Sequence, residues 1–205
     1  MAPVGILQLG AITGSFCYDE TMKPKLIILN GPLGIGKSTL AKRYGENHPL
    51  TLQLDIDDVW SMISHWREEK ETSSPISKKM ALEMARVNLS AGNDVIIPQI
   101  IRTEELADNF EALTKECGAD YVEVLLFVEK EEAIRRFIKR GQEGGSPTGF
   151  RPGGIIDTGG RETKLAEMYD DMIEVANRRQ HVIRIEPILG DIEGTYLALM
   201  AKING

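Results

Sequence analysis

Apolar residues fall into five short runs along the chain, separated by stretches in which apolar residues recur with helical spacing. The runs occupy residues 25–30 (KLIILN), 50–54 (LTLQL), 94–101 (DVIIPQII), 121–128 (YVEVLLFV) and 181–186 (HVIRIE). Continuous apolar runs of this kind are typical of parallel strands covered by helices on both faces. The pattern therefore predicts an α/β fold built on a five-stranded parallel sheet.

Helical periodicity predicts which side chains of two intervening segments face the core. Apolar residues in 106–117 recur at spacings of four, three and four and end at Cys117, which indicates a helix whose buried stripe includes the cysteine. Met80, Met84 and Val87 form a similar stripe in the preceding segment. We expect these three side chains to pack in the core as well.

A glycine-rich stretch at residues 141–160 has almost no apolar periodicity and contains eight glycines and two prolines. A stretch this long inside a compact domain is usually a functional lid or disordered. Arginines lie before, within and after it, and they favour a lid. A helical pattern resumes after it, at residues 162–179.

Composition bounds the domain organisation. A chain of 205 residues with 42% hydrophobic content can bury one sizeable core, which we place at residues 23–205. Residues 1–22 are interpreted as a non-catalytic N-terminal extension that need not be ordered. No run approaches the length of a membrane span. Cys17 and Cys117 have neither disulfide nor zinc spacing, and they favour a cytoplasmic protein.

The formal charge of −7 bears on the kind of partner. Proteins that bind nucleic acid usually carry a basic excess, because their affinity depends on neutralising phosphates. The acidic balance therefore makes a nucleic-acid partner unlikely and favours a small-molecule ligand.

The sequence GPLGIGKS at residues 31–38 satisfies the phosphate-binding pattern GxxxxGK[ST], with an apolar strand before it and a helical pattern after it. In this motif backbone N–H groups and the helix N-terminus surround phosphate oxygens. Lys37 would reach the β- and γ-phosphates of ATP, and Ser38 would bind Mg²⁺. The predicted nucleotide-binding residues are Gly31, Gly34, Ile35, Gly36, Lys37, Ser38 and Thr39.

Other features separate the classes of protein that carry this loop. The guanine-reading NKxD motif of GTPases does not occur in the sequence. Two DxxG matches, at 157–160 and 191–194, do not follow an apolar strand. Transport and motor ATPases need a longer chain, so a small kinase is favoured.

Acidic residues directly follow the second predicted strand, in the sequence LDIDD. The carboxyl ends of parallel strands open onto one crevice, so Asp55, Asp57 and Asp58 should lie near the phosphate loop. We assign Asp55 to the Mg²⁺ side, Asp57 to the base that accepts a proton from the acceptor hydroxyl, and Asp58 to acceptor contact. The opposite assignment of Asp55 and Asp57 stays open. The alternative is that they cap the following helix.

Further polar residues lie where an acceptor would approach. Gln99 lies at the end of the third strand and Arg102 comes directly after it, and both are candidate acceptor contacts. Arg136 and Arg140 lie one turn apart in the helix that leads into the glycine-rich stretch, where an arginine can stabilise charge on a transferring phosphoryl group. Two further arginines of the lid are alternatives, Arg151 and Arg161.

The sequences GPLGIGKST, LDIDD and AIRRFIKR together resemble the small P-loop kinases of the nucleoside-monophosphate, shikimate and gluconate kinase group. Within that group, VIIPQIIRT is similar to the antibiotic-resistance and AAA-type kinases, such as chloramphenicol phosphotransferase and the tunicamycin-resistance protein. The resemblance implies a three-layer P-loop NTPase fold with strand order 2-3-1-4-5, ATP as donor, and an acceptor-binding acid after the second strand. Asp55 and Asp57 match the DxD of shikimate kinase.

The sequence therefore predicts a cytoplasmic, Mg²⁺-dependent kinase that phosphorylates a hydroxyl of a small molecule. A polynucleotide or tRNA kinase is one alternative. A nucleotide-dependent binding module with weak ATPase activity is another, because Gln99 stands where a second metal-linked acid is expected. Both a monomer and a homodimer are compatible with the sequence, which does not identify the acceptor.

Overall fold

Strands and helices alternate along the chain in the computed structural model, which describes residues 23–142, 161–188 and 190–204. The strands are β1 (Lys25–Asn30), β2 (Leu52–Gln53), β3 (Val95–Pro98), β4 (Asp120–Leu126) and β5 (Ile183–Ile185). The helices are α1 (Lys37–Asn47), α2 (Ile56–Ser61), α3 (Lys70–Ser90), α4 (Glu104–Cys117), α5 (Lys130–Gln142), α6 (Arg161–Arg178) and α7 (Ile192–Ile203). The predicted extension at 1–22 and the predicted lid, apart from its first two residues, lie outside the described residues.

All five strands are parallel and lie in the order β2-β3-β1-β4-β5. Leu26 of the central strand is in register with Val95 on one side and Tyr121 on the other. The chain passes from β3 to β4 across β1, so the connections that follow β1 and β3 open onto the crevice where such sheets bind ligands. The predicted α/β fold and its strand order are confirmed.

The strands are apolar throughout because helices cover both faces of the sheet. Leu26 and Ile28 pack with α3 and α4, whereas Ile27 and Leu29 pack with α1 and α7. In α4, the predicted stripe of Leu106, Phe110 and Leu113 is buried, and Cys117 packs half-buried at its end.

The predicted packing of α3 is wrong. Met80, Met84 and Val87 are 40%, 37% and 71% exposed. The helix instead buries a stripe of small residues and one leucine: Ser73, Ser77, Ala81, Ala85 and Leu89. Small side chains let the helix approach its neighbours closely, which larger side chains would prevent.

Two hydrogen bonds satisfy the hydroxyl of Ser73, a polar residue of this stripe that contacts α2. The Ser73 hydroxyl accepts a hydrogen bond from Trp60 Nε1 at 2.7 Å and donates to the carbonyl of Trp66 at 2.8 Å. Hydrophobicity alone could not identify a buried face of this composition.

Within the described part of the chain, no helix is long and apolar enough to cross a membrane.

Candidate functional site

The loop between β1 and α1 carries the predicted phosphate-binding residues. Gly34 and Gly36 have φ values of 78° and 104°, in the left-handed region that favours glycine. A Cβ atom at Gly31 would lie 2.9 Å from the carbonyl oxygen of Leu126, so this position has no room for a side chain. Ser38 and Thr39 are exposed in the first turn of α1, where helical N–H groups lack helical partners. The loop therefore has the form of an anion-binding site.

Lys37 is held inside this loop. Its Nζ donates to the carbonyl oxygens of Gly31 at 2.8 Å and Pro32 at 2.9 Å, and the residue is 8% exposed. Burial lowers the pKa of Lys37 to about 8, while the negative charges of Asp55 and Asp57 act in the opposite direction. Asp55 and Asp57, the predicted metal-side acid and the predicted base, thus lie within electrostatic range of the lysine.

Asp55 lies directly before α2 and caps that helix. Its Oδ1 accepts a hydrogen bond from the backbone N–H of Asp57 at 2.9 Å. Burial, followed by the charges of Asp57 and Asp58, raises the pKa of Asp55 to about 6. The capping role that the sequence left as an alternative is therefore present, and Asp55 also contributes a partly buried carboxylate at the carboxyl end of β2.

The connection between β3 and α4 is attached to the end of β1. The Gln99 N–H donates to the carbonyl of Leu29 at 3.1 Å, and the Ile101 N–H donates to Asn30 Oδ1 at 2.9 Å. These bonds bring Gln99 beside the phosphate loop. Arg102 is exposed and forms an ion pair with Asp171 of α6, at 3.6 Å from Nε to Oδ2.

A cleft of about 490 Å³ extends from the phosphate loop to α5 and the start of α7. Arg136 and Lys139 lie in its wall, and Arg136 Nε donates to Glu132 Oε1 at 2.6 Å. The side chains of Arg140 and Arg161, and all of Arg151, lie outside the described residues. Of the candidate arginines, Arg136 has a described side chain, and that side chain lies beside the phosphate loop.

Several residues of this site were not predicted from the sequence. Ile188, Asp191 and Thr195 line the cleft, although they are about 150 residues from the loop in sequence. Their only sequence signal is the helix start at Asp191, which caps α7 through the Gly194 N–H. Asn30 was also missed, although a polar residue that ends an apolar strand is visible in the sequence.

The oxygen donors beside Lys37 fit a magnesium ion that is bound together with nucleotide phosphates. Among the described residues, no group of three or more His, Cys, Asp or Glu is placed to hold a metal. Mg²⁺ in such sites usually takes one or two protein oxygens and completes its shell with phosphates and water. Ser38 and Asp55 supply oxygens of that kind. A cation would also offset the cost of the partly buried Asp55 carboxylate beside two other acids.

The parallel sheet and the loop after β1 together define a P-loop α/β protein. The chain belongs to the AAA domain family, whose model matches residues 26–151. Comparison with curated protein sequences finds no match.

Solved structures with the same fold are distant in sequence. The tunicamycin resistance protein of Deinococcus radiodurans is 15% identical, with a TM-score of 0.57, and the match covers 88% of this chain and 95% of that one. Shikimate kinase from Acinetobacter baumannii is 17% identical, with a TM-score of 0.55 and coverage of 90% and 94%. A chain of the Pnkp1/Rnl/Hen1 RNA repair complex is 20% identical, with a TM-score of 0.56 and coverage of 84% and 52%. The predicted resemblance to small P-loop kinases is confirmed in fold.

Proposed function

We propose that the protein is a Mg²⁺-dependent kinase that transfers the γ-phosphoryl group of ATP to a hydroxyl of a small molecule. The observation that carries this proposal is that the phosphate loop and Asp55 both follow the carboxyl ends of parallel strands, with the buried Lys37 within electrostatic range of Asp55 and Asp57. A phosphate-binding lysine and an acid able to take a proton from an acceptor must meet at one point for direct transfer.

The donor side of the site is formed by the phosphate loop and the adjoining cleft. Gly34, Gly36 and the first turn of α1 would surround the phosphates, and Thr39 would hold the α-phosphate. The cleft between α5 and α7 offers both apolar and cationic walls, which suits the nucleoside end of ATP. Arg136 would approach the phosphates from this wall, and Arg140 would be the alternative.

Proton transfer and charge stabilisation account for the chemistry on the acceptor side. The acceptor hydroxyl oxygen forms a bond to the γ-phosphorus while the bond from that phosphorus to the bridging oxygen of ADP breaks. Asp57 accepts the hydroxyl proton, and Lys37 stabilises the negative charge of the transferring group. Asp58, Gln99 and Arg102 would orient the acceptor. Mg²⁺, held by Ser38 and Asp55, would neutralise charge on the phosphate oxygens.

Two alternative functions differ in their partner. A polynucleotide or tRNA kinase agrees with the fold of the RNA repair chain, but the net charge of −7 opposes binding to a polyanion. A nucleotide-dependent binding module would need no acceptor at all. The acids within electrostatic range of Lys37 support a kinase over a binding module, and the net charge supports a small-molecule acceptor over a nucleic acid. We place this activity in the cytoplasm, since the cysteine spacing favours no disulfide.

ADP release with Mg-ATP across a panel of hydroxyl-bearing metabolites, nucleosides and antibiotics tests this proposal. We expect one acceptor class to raise the rate above the acceptor-free background. Lys37→Ala and Asp57→Asn should each reduce that rate by about 10²- to 10⁴-fold, because each removes a group that acts on the transferring phosphoryl or its proton. Asp120→Asn is the matched control, because Asp120 is an exposed acid at the amino end of β4, and the phosphate loop lies at the carboxyl ends of the strands.

The same assay can contradict the proposal. If ATP binds but no acceptor exceeds the background, the chain is not a small-molecule kinase. Release that responds only to RNA ends, and that weakens steeply with salt, would favour the polynucleotide kinase instead.

A further inference from the structure

Asn30 is a wholly buried polar residue at the end of the central strand, immediately before the phosphate loop. Its Oδ1 accepts two hydrogen bonds, from the Gly31 N–H at 2.8 Å and from the Ile101 N–H at 2.9 Å. Both partners are backbone donors, so the oxygen of the amide must face them. The orientation of the side chain is therefore fixed by its contacts.

These two contacts join the two halves of the proposed active site. Gly31 is the first residue of the phosphate loop, and Ile101 lies in the connection that carries Gln99 and Arg102. The β1 to β3 register ends at Pro98, and after the Gln99 N–H bond to Leu29 the side chain of Asn30 supplies the next acceptor. Asn30 thus extends the pairing of the two strands into the site.

Gly31 is held at both ends of its backbone. Its N–H is bound by Asn30, and its carbonyl oxygen accepts a hydrogen bond from Lys37 Nζ. The ammonium group of Lys37 has three N–H donors, and two of them bind the carbonyls of Gly31 and Pro32. A nucleotide phosphate at Lys37 would take the third donor or replace one of the carbonyls. In either case a bound nucleotide would act, through Lys37, on the residue that Asn30 holds.

The stability of the core does not explain an asparagine at this position. Asn30 Nδ2 is buried and has no hydrogen-bond partner among the described residues, and an unpaired buried donor lowers stability. An apolar side chain would avoid that cost but could bind neither backbone N–H. The amide is explained by the two connections that its oxygen holds.

We infer that Asn30 is a positioning residue that links nucleotide binding at the phosphate loop to the conformation of the connection between β3 and α4. The inference rests on the proposed nucleotide binding, but it does not depend on the identity of the acceptor. In this role Asn30 aligns Gln99 and Arg102, on the acceptor side, with the bound nucleotide.

Hydrogen exchange at the Ile101 amide, measured with and without Mg-ADP, tests this link directly. In the wild-type protein we expect Mg-ADP to change the exchange rate of this amide by about threefold or more, since its acceptor also holds Gly31. In Asn30→Leu, basal exchange at Ile101 should rise about tenfold, and the response to Mg-ADP should be lost. Asn30→Asp keeps an oxygen acceptor for both N–H groups, and with its buried carboxyl protonated it should keep the response of Ile101 exchange to Mg-ADP.

Matched measurements separate this link from a general loss of stability. Thr114→Val removes another buried polar group, whose hydroxyl bonds only locally to the Glu111 carbonyl, and should leave the Ile101 response unchanged. Calorimetry with Mg-ADP reports binding independently. The wild-type measurement and Asn30→Asp remain informative if Asn30→Leu does not fold.

Three results would overturn the inference. In the first, Mg-ADP binds to the wild type without changing hydrogen exchange at the Ile101 amide. In the second, Mg-ADP changes that exchange in Asn30→Leu as it does in the wild type. In the third, Thr114→Val abolishes the change as fully as Asn30→Leu does. Each of them leaves nucleotide binding intact and so spares the proposed function. Absence of any Mg-ADP binding would overturn the inference and the proposed function together.

Discussion

A single carboxylate, that of Asp55, caps α2 and also lies beside the phosphate loop. Capping requires only a hydrogen-bond acceptor, which asparagine supplies as well as aspartate. The charge is a separate matter, because burial and the neighbouring acids raise the pKa of Asp55 to about 6. The cap therefore accounts for the position of the residue but not for its negative charge.

We expect Asp55→Asn to stabilise the protein at neutral pH while reducing phosphoryl transfer. The pKa of Asp55 rises from 3.8 to about 6 on folding, so the folded state binds more protons and stability falls as pH rises from about 4 to about 6. A shift of this size corresponds to about 3 kcal/mol, which partial exposure reduces to roughly 1 to 2 kcal/mol.

Thermal unfolding of both proteins between pH 3.5 and 7.5 would measure this effect. The wild type should lose stability relative to Asp55→Asn as the pH rises from about 4 to about 6. The two proteins should have equal stability near pH 4. Asp120→Asn is the control for general removal of an acid, because Asp120 is exposed at the amino end of β4, away from the cap and from the acids around Asp55. Equal stabilities at pH 7 would contradict a desolvated carboxylate at Asp55.

The faces of α3 provide a test at the scale of one element. We expect Met84→Gln to change the free energy of unfolding by less than about 0.5 kcal/mol, because the side chain is already partly in water. Ala85→Gln introduces the same residue one position later, where the helix side is fully buried. It should cost about 2 to 4 kcal/mol through overpacking and an unpaired amide.

Urea denaturation of both variants decides between the two faces. A large loss of stability in Met84→Gln with little effect in Ala85→Gln would restore the packing that the methionine spacing predicts. The wild-type m-value should be retained in Met84→Gln, since the surface exposed on unfolding is nearly the same.

The elements differed in how far sequence could predict them. The strands were recognisable because burial on both faces demands an uninterrupted apolar run, as in residues 25–30. The phosphate loop was recognisable because its glycines are required by backbone geometry. The buried face of α3 was not, since close approach selects serine and alanine, which carry little hydrophobic signal. Ile188 and Asp191 reach the cleft only through the tertiary fold, so no local pattern could indicate them.

At the scale of the whole molecule, one arginine connects three elements on the side of the sheet covered by α3 and α4. Arg179, directly after α6, binds Glu123 of β4 at 2.6 Å, Glu111 of α4 at 3.0 Å, and Asp108 of α4. The side chains of Arg179 and Glu123 are only 9% and 3% exposed. The helix that follows the glycine-rich stretch is thereby anchored to the sheet by a desolvated ion pair.

We expect Arg179→Met to lower the free energy of unfolding by about 3 to 5 kcal/mol, because it leaves the Glu123 charge buried without its partner. Replacing Glu123 by methionine in the same chain should recover at least half of that loss, since a buried ion pair is often no more stabilising than apolar side chains of similar volume. Arg178→Met is the matched control. Arg178 is 59% exposed and pairs with Glu104 and Glu174 at the surface, so its loss should cost less than about 1 kcal/mol. Chemical denaturation of the wild type, the two single variants and the double variant measures the four free energies of unfolding. A double variant no more stable than Arg179→Met would show that the arginine anchors α6 through packing rather than through charge.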